Sequence, residues 1–282
     1  MCITLNKMEE ILNIQNLSIT PKNAPNRLLV SNVSLTLSAG KTTCIVGESG
    51  SGKSLTALSI MGLLSSQLQA QGSIQFQGKE LTKLDNKALQ SIRGAKIGMI
   101  FQEPMTSLNP VLTVGYQIGE SLTAHLGLKG SGLKLRIESL LQQVGIPIER
   151  ADSYPDELSG GQRQRVMIAM SIACEPALLI ADEPTTALDV TVQAQILQLL
   201  DELKTRMNMA MLFITHDFGV VADIADDVIV MFRGEIVETG SKKDVLNNPK
   251  HPYTKALLAC VPDAEGKKQL KPIDYAWLES AA

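Results

Sequence analysis

The sequence predicts an α/β fold, a mainly parallel sheet with helices packed on it, preceded by a run of short strands. Three observations lead there. Apolar strand-like runs alternate with helical stretches along most of the chain, the pattern of βαβ units. Residues Ile11–Leu37 instead alternate apolar and polar positions with no helical period. A glycine-rich octet, Gly47–Ser54, lies between a compact strand-like run and a helical pattern, the context in which open α/β sheets bind ligands.

Taken in order, Leu12, Ile14, Leu17 and Ile19 mark one strand region, and Val33, Leu35 and Leu37 a second; the patch Thr20–Arg27 between them, with Pro21 and Pro25, reads as a turn. Thr42–Val46 is a β-rich run, and Leu55–Leu64 is helical. A short strand pair is expected to flank Gly72–Gly78, and Ile97–Phe101 is apolar and strand-like. From Thr113 to Arg150 the period turns helical, with Leu133, Ile137, Leu140, Leu141 and Val144 on one stripe. A helix over Ser159–Cys174, a strand over Ala177–Ala181, a helix over Val190–Lys204 capped by Asp189, and a strand over Met209–Thr215 follow. Strands at Asp227–Phe232 and Glu235–Glu238 flank Arg233-Gly234, a hairpin turn.

Composition narrows the function. At 282 residues the chain is one large domain or two small ones, taking about 100–200 residues per domain. Hydrophobic residues at 44% and charged residues at 20% describe a chain with a packed core, not a disordered one. A formal charge of −3 argues against wrapping nucleic acid, yet leaves open a phosphate site, which needs local donors. The four cysteines, Cys2, Cys44, Cys174 and Cys260, show no metal-ligand spacing and are expected as reduced thiols, Cys44 and Cys174 as core filler. The first ten residues lack the apolar core of a secretory signal, and no stretch approaches the ~20 apolar residues of a spanning helix. A soluble chain whose membrane role goes through partners is expected.

The octet Gly47-Glu48-Ser49-Gly50-Ser51-Gly52-Lys53-Ser54 fits the phosphate-loop pattern G-x-x-x-x-G-K-[ST]. Glycines let backbone N–H groups converge on phosphate oxygens, and the helix N-terminus adds partial positive charge. Lys53 is expected on the β- and γ-phosphates and the Ser54 hydroxyl on Mg²⁺. A Gly/Ser loop before a helix can be only a turn, but the Lys-Ser pair in that order decides against this. The apolar run Leu178–Ala181 carries Asp182 to the edge of the sheet as a second Mg²⁺ ligand, and Glu183 beside it is placed to deprotonate an attacking water.

Upstream of that strand, Leu158-Ser159-Gly160-Gly161-Gln162 resembles the signature of the ATP-binding cassette (ABC) ATPases. Gln102 matches the family's Q-loop, Ala187-Leu188-Asp189 its D-loop and His216 its switch histidine, all in family order between about Glu10 and Pro262. The resemblance implies a P-loop NTPase core with a mainly parallel sheet, an N-terminal antiparallel β subdomain and an inserted helical signature subdomain. On that reading residues 9–250 form the ATPase domain, with the helical part at about 103–160, and 251–282 form a short C-terminal extension.

The same resemblance implies the roles. Ser159, Gly160, Gly161 and Gln162 would bind the γ-phosphate held by an opposing cassette, so that two ATPs lie between two head-to-tail cassettes. Gln102 would touch Mg²⁺ or the attacking water and sense the membrane partner; His216 would contact the γ-phosphate and hold Glu183 and the water; Asp189 would cross the dimer interface. His125 and His251 have no such company and are expected as structural residues. In one respect the chain departs from the family: the aromatic that stacks on adenine is missing, since no aromatic precedes Phe76, and Thr20 stands about where one is expected. Either adenine stacking is lost or Arg27 or another side chain covers the base, and ATP and GTP are expected to be hydrolysed with similar efficiency.

A finer resemblance is to the peptide/nickel importer branch, carried by Phe101–Pro110, by Pro184–Val190 and by His251-Pro252-Tyr253-Thr254. It implies an ATPase coupled to uptake of oligopeptides or nickel and metal chelates, working with two transmembrane permease subunits and an extracellular or periplasmic solute-binding protein, at the cytoplasmic face of the plasma (inner) membrane. The segment after Gln102 would receive a permease coupling helix. A second homologous ATPase is expected, as a heterodimer in preference to a homodimer. ATP and Mg²⁺ are the implied cofactors; with Cys260 the last cysteine, no iron–sulfur cluster is expected, and the short tail tips the solute towards nickel or metal chelates. The alternative is a soluble ABC ATPase outside transport, with a cluster-assembly ATPase the closest in size; the segment after Gln102 and the HPYT motif weigh against it.

Overall fold

In the computed structural model, which describes residues 9–102, 107–186 and 188–260, the alternating N-terminal segments pair as strands. β1 (Glu10–Pro21) lies between β2 (Val30–Ser38) and β4 (Leu68–Phe76), and a two-residue β5 (Lys79–Glu80) completes the four-stranded order β2-β1-β4-β5. β1 and β4 run antiparallel, Leu12 opposite Phe76, as do β4 and β5. Leu12, Ile14, Leu17 and Ile19 are buried, the apolar side of the alternation. Gly72 does not end a strand, as the sequence suggested, but sits inside β4. There the register with β1 shifts between Gln15 and Ser18, and a Cβ on Gly72 would come within 2.6 Å of the Asn16 carbonyl oxygen. A glycine at a bulge of this kind marks a close backbone approach, not a turn.

The described residues form two compact units, one built mainly on Leu81–Leu212 and the other on Leu12–Leu37, Lys41–Glu80 and the described chain from Phe213 to Cys260. In the second unit, β3 (Thr42–Val46) pairs in parallel with β9 (Asp227–Phe232), and β9 turns back through Arg233-Gly234 into antiparallel β10 (Glu235–Ser241). Both turn residues have positive φ, 48° and 88°, the geometry of a tight hairpin that matches strand twist. All five residues of β3 are buried, as in a strand covered on both faces. Helix α1 (Lys53–Ile60) follows the glycine octet.

In the first unit, β6 (Ile97–Ile100) pairs in parallel with β7 (Leu178–Asp182), Ile100 opposite Ala181, and β8 (Ala210–Thr215) begins in this unit beside β7. Helix α2 (Asn86–Gln90) precedes β6, capped by Asp85. Helices α3 (Val114–Leu126), α4 (Gly130–Gln143) and α5 (Gly160–Ile172) pack on one another, and α5 also packs on β6. Gly98 permits that last contact, since a Cβ there would lie 2.2 Å from the Ser171 carbonyl oxygen. α6 (Val190–Met207) is capped by Asp189 as expected, its carboxylate accepting the Val192 N–H at 2.9 Å. Three helices of the second unit, α7 (Phe218–Ile224), α8 (Lys242–Asn247) and α9 (Pro252–Ala259), were not anticipated. Their N-caps are Asp217, Ser241 and His251, each accepting a backbone N–H of the first turn. No described helix is long and apolar enough to cross a membrane.

Candidate functional site

The predicted residues divide between the units: the octet and His216 belong to the second, and Gln102, Ser159–Gln162, Asp182, Glu183 and Asp189 to the first. Each set is built locally. Parts of the sequence reading fall outside the described residues, namely Glu103–Thr106 after the Q-loop glutamine, Ala187 of the D-loop motif, Cys2, and residues 261–282 of the C-terminal extension.

In the second unit the loop leaves β3 under tight steric limits. A Cβ on Gly47 would sit 2.2 Å from the Met231 carbonyl oxygen, so any side chain there collides with β9. Gly52 is the N-cap of α1 at φ 99°, left-handed backbone that favours glycine. Lys53 is only 5% exposed, and its ammonium donates to the Gly47 and Glu48 carbonyls at 2.7 and 2.8 Å. The loop is also held from outside: the Gly234 N–H of the hairpin donates to the Ser51 carbonyl at 3.1 Å, and the Glu48 N–H donates to the Tyr253 hydroxyl at 3.0 Å. The Ser51 hydroxyl is buried and has no hydrogen-bond partner among the described residues. A buried hydroxyl with its bonds unmade, a buried lysine and a helix N-terminus together fit a phosphate group. Ser54, half-buried in the first turn of α1, offers a hard oxygen of the kind Mg²⁺ takes. Ser49 and Gly50 are exposed at the loop's tip.

His216 follows β8 directly and is exposed. Asp217 after it caps α7, its carboxylate accepting the Gly219 N–H at 2.7 Å, and the Thr215 hydroxyl accepts the Asp217 N–H at 3.0 Å. The imidazole is thus carried on a short, doubly bonded corner. His251 is structural as expected: its Nδ1 accepts the Tyr253 N–H at 3.2 Å.

In the first unit the parallel strands β6 and β7 bring Gln102 and the Asp182-Glu183 pair to the same sheet edge. Asp182 is buried at 6% exposure. Glu183 sits at φ 47°, a left-handed conformation that costs a side-chain-bearing residue about 1–3 kcal/mol. Gln102 and Thr186 help to hold it. Its carboxylate accepts from Gln102 Nε2 at 3.3 Å and from the Thr186 hydroxyl at 3.0 Å, and its carbonyl accepts the Thr186 N–H at 3.2 Å. Thr186 was missed by the sequence reading; a hydroxyl three residues beyond a carboxylate is the signal that could have found it.

Ser159 and Gln162 form a reciprocal capping box at the start of α5. The serine hydroxyl accepts the Gln162 N–H at 3.3 Å, and the Gln162 side-chain oxygen accepts the Ser159 N–H at 3.0 Å. Gly161 is also required by packing, because its Cβ would lie 2.8 Å from Val192 of α6. Asp189 is spent in part on its cap, and Val190 next to it is 82% exposed. Cys44 is buried core, whereas Cys174 is half-buried with its thiol on the Ser121 carbonyl at 3.6 Å. Burial pushes the Cys174 thiol up, against the opposing pull of Arg136. Among the described residues no group of three His, Cys, Asp or Glu side chains could cage a metal.

Comparison with known proteins shows the family. The sequence model of the ABC transporter family matches residues 30–186, and that of the oligopeptide/dipeptide transporter C-terminal region matches residues 237–276. The chain is 50% identical over 274 residues to the dipeptide transport ATP-binding protein DppD of Bacillus subtilis, covering 95% of this chain and 82% of that protein. It is 50% identical over 279 residues to the glutathione import ATP-binding protein GsiA of Escherichia coli, covering 94% of this chain but 44% of GsiA. The chain therefore spans less than half of that longer relative. Among solved structures, the ATP-binding cassette MJ0796, a dimer bound to ADP and Pi in a post-hydrolysis state, superposes with a TM-score of 0.73 at 30% identity, covering 82% of this chain and 99% of that one. Part of the ABC transporter complex cbiONQ, cbiO1 of Clostridium perfringens, gives a TM-score of 0.75 at 28% identity, covering 85% and 92%.

Proposed function

The chain belongs to the ABC transporter family as the ATP-binding, ATP-hydrolysing cassette of an importer, and from that premise we propose that it drives uptake of oligopeptides through partner permeases. The observation that carries the coupling is the Gln102–Glu183 hydrogen bond: the residue assigned to sensing the partner touches the residue assigned to activating water. On this reading residues 9–250 are the ATPase domain with a helical insertion at about 103–160, and 251–282 an extension.

In the proposed reaction a water oxygen attacks the γ-phosphorus of ATP while its proton passes to the Glu183 carboxylate. The bond to the bridging oxygen breaks, giving ADP and phosphate. Gly47–Ser54 cradle the phosphates with backbone N–H groups and Lys53. Ser54, Asp182 and Gln102 are assigned to Mg²⁺, which when bound neutralises charge developing on phosphate oxygens. His216 holds the water and γ-phosphate. Ser159, Gly160, Gly161 and Gln162 serve the nucleotide of a second cassette, and Asp189 faces that partner.

The solute is assigned to peptides because DppD and GsiA are named for dipeptide and glutathione transport, and the C-terminal match is to oligopeptide/dipeptide transporters. That C-terminal match also weighs against the soluble cluster-assembly alternative. The partners proposed are two permeases, a second homologous ATPase in a heterodimer and a solute-binding protein, with the chain peripheral on the cytoplasmic face of the inner membrane. Thr20, at the place of the missing aromatic, is buried in β1 and accepts a hydrogen bond from Gln69 Nε2 at 3.1 Å. With no ring there, ATP and GTP are expected to give similar kcat/KM, and a strong ATP preference would contradict it. The functional test is a tagged pull-down from detergent-solubilised native membranes. Two permeases and a second cassette are expected; a soluble partner with no permease would sink the transport reading.

A further inference from the structure

The His251-Pro252-Tyr253-Thr254 motif is built around one hydroxyl. His251 caps α9, Pro252 occupies the first helical position, where its missing N–H costs nothing, and Glu238 of β10 accepts the N–H groups of Lys250 and His251 at 2.7 and 3.0 Å. Tyr253 is fully buried, its ring 4.3 Å from that of Phe232 at the end of β9. Its hydroxyl receives the Glu48 N–H at 3.0 Å. That N–H belongs to the same planar peptide group as the Gly47 carbonyl, which accepts from the Lys53 ammonium at 2.7 Å. Because a trans peptide directs its N–H and C=O to opposite sides, a hydrogen bond on one side fixes the direction of the other. The tyrosine and the lysine hold one peptide group by its two opposite edges.

We propose that Tyr253 is a positioning residue for nucleotide binding: through the Gly47–Glu48 peptide it fixes the carbonyl that aims Lys53, so the C-terminal motif braces the phosphate loop. This rests on the reading of Gly47–Ser54 as a phosphate site. The brace restrains a loop whose glycines otherwise leave it many conformations. It also explains why the motif sets a tyrosine, and not another large apolar residue, against Phe232: the ring fills the space, and the hydroxyl serves the loop.

The test compares Tyr253→Phe and Lys53→Ala with the parent, each as the full chain, by equilibrium titration with Mg·ATP, by steady-state ATPase kinetics and by thermal melting. Tyr253→Phe keeps the ring and removes only the acceptor. Binding is expected to weaken roughly fivefold, from one lost hydrogen bond, and KM to rise with kcat held. Tm is expected to fall by no more than about 2–4 °C. A lowered Tm with unchanged affinity would make Tyr253 a packing residue and overturn the proposal. If Lys53→Ala loses ATP binding and Tyr253→Phe does not, the phosphate site stands and the brace alone falls. If Lys53→Ala binds ATP like the parent, the phosphate-site reading falls and takes the brace with it.

Discussion

The phosphate loop and the acidic turn after β7 solve opposite problems. The loop must present backbone donors, so it is made of residues that do not obstruct the main chain: Gly47 lies against Met231, and Gly52 takes a left-handed cap. The acidic turn must present a carboxylate from a backbone position that suits glycine. Glu183 stands at φ 47° and is kept there by Gln102 and Thr186. In the loop the constraint is mainly steric, and glycine relieves it. In the turn it is conformational, and neighbouring side chains must offset it. A site made of backbone tolerates few changes in side-chain volume. A site made of a strained side chain depends on who touches it.

The largest expected effect separates chemistry from binding. Glu183→Gln keeps the shape and the strained backbone but removes the base, so kcat should fall by about 10²–10⁴ while ATP binding persists. Normal turnover in this variant would show that another group takes the proton. In the loop the corresponding break is Gly47→Ala. The added Cβ meets the Met231 carbonyl at 2.2 Å, and relieving that overlap should cost about 1–3 kcal/mol and most of the nucleotide affinity. Gly50→Ala sharpens the point. Nothing lies within 4 Å of its Cβ, and only its φ of 81° opposes a side chain, so a loss of about 1 kcal/mol is expected. Equal melting temperatures for the two variants would mean that clash with β9 does not govern the loop.

A smaller effect tests the support of the turn. Thr186→Val preserves volume and deletes the hydroxyl that donates to Glu183 at 3.0 Å. Roughly fivefold in kcat should be lost, with KM unchanged, since the bond orients a reacting group and not the nucleotide. A rise in KM with kcat intact would assign Thr186 to binding instead.

The difference between the regions is also the limit of what could be read in advance. Gly47–Ser54 was legible because its requirement is local: a strand, glycines at fixed spacing and a helix, all within one stretch of chain. The alternation of Leu12, Ile14, Leu17 and Ile19, the Asp189 cap and the Arg233-Gly234 hairpin were legible for the same reason. Gly72 misled because a glycine inside a strand and one in a turn look alike until the partner strand is known. The short helices α7 and α9 carried their signals, an aspartate cap and a His-Pro start, but lie below the length at which periodicity speaks. The grips on the site, Thr186 on Glu183 and Tyr253 on Glu48, depend on contacts that spacing alone does not report. In the second case 205 positions separate the partners.

The smallest effect concerns the anchor of the C-terminal motif, and it is read by pH. Burial raises the Glu238 pKa, but the Thr254 side chain, the N–H groups of Lys250 and His251 and the charge of His251 outweigh it, so the carboxyl lies below its ordinary range. The unfolded chain therefore takes up this proton at a higher pH than the folded one. The stabilisation is present in full above the ordinary glutamate value of about 4.3, and it is lost as pH falls through the lower folded value. Glu238→Gln removes the charge at every pH. At pH 7 it should cost roughly 1 kcal/mol, and the variant and parent should converge in stability in acid. Denaturant melts from pH 7 to pH 3 give the comparison. A gap between the two proteins that stays constant across that range would mean that the carboxylate's charge contributes nothing to holding Lys250 and His251, and that its shape alone positions α9.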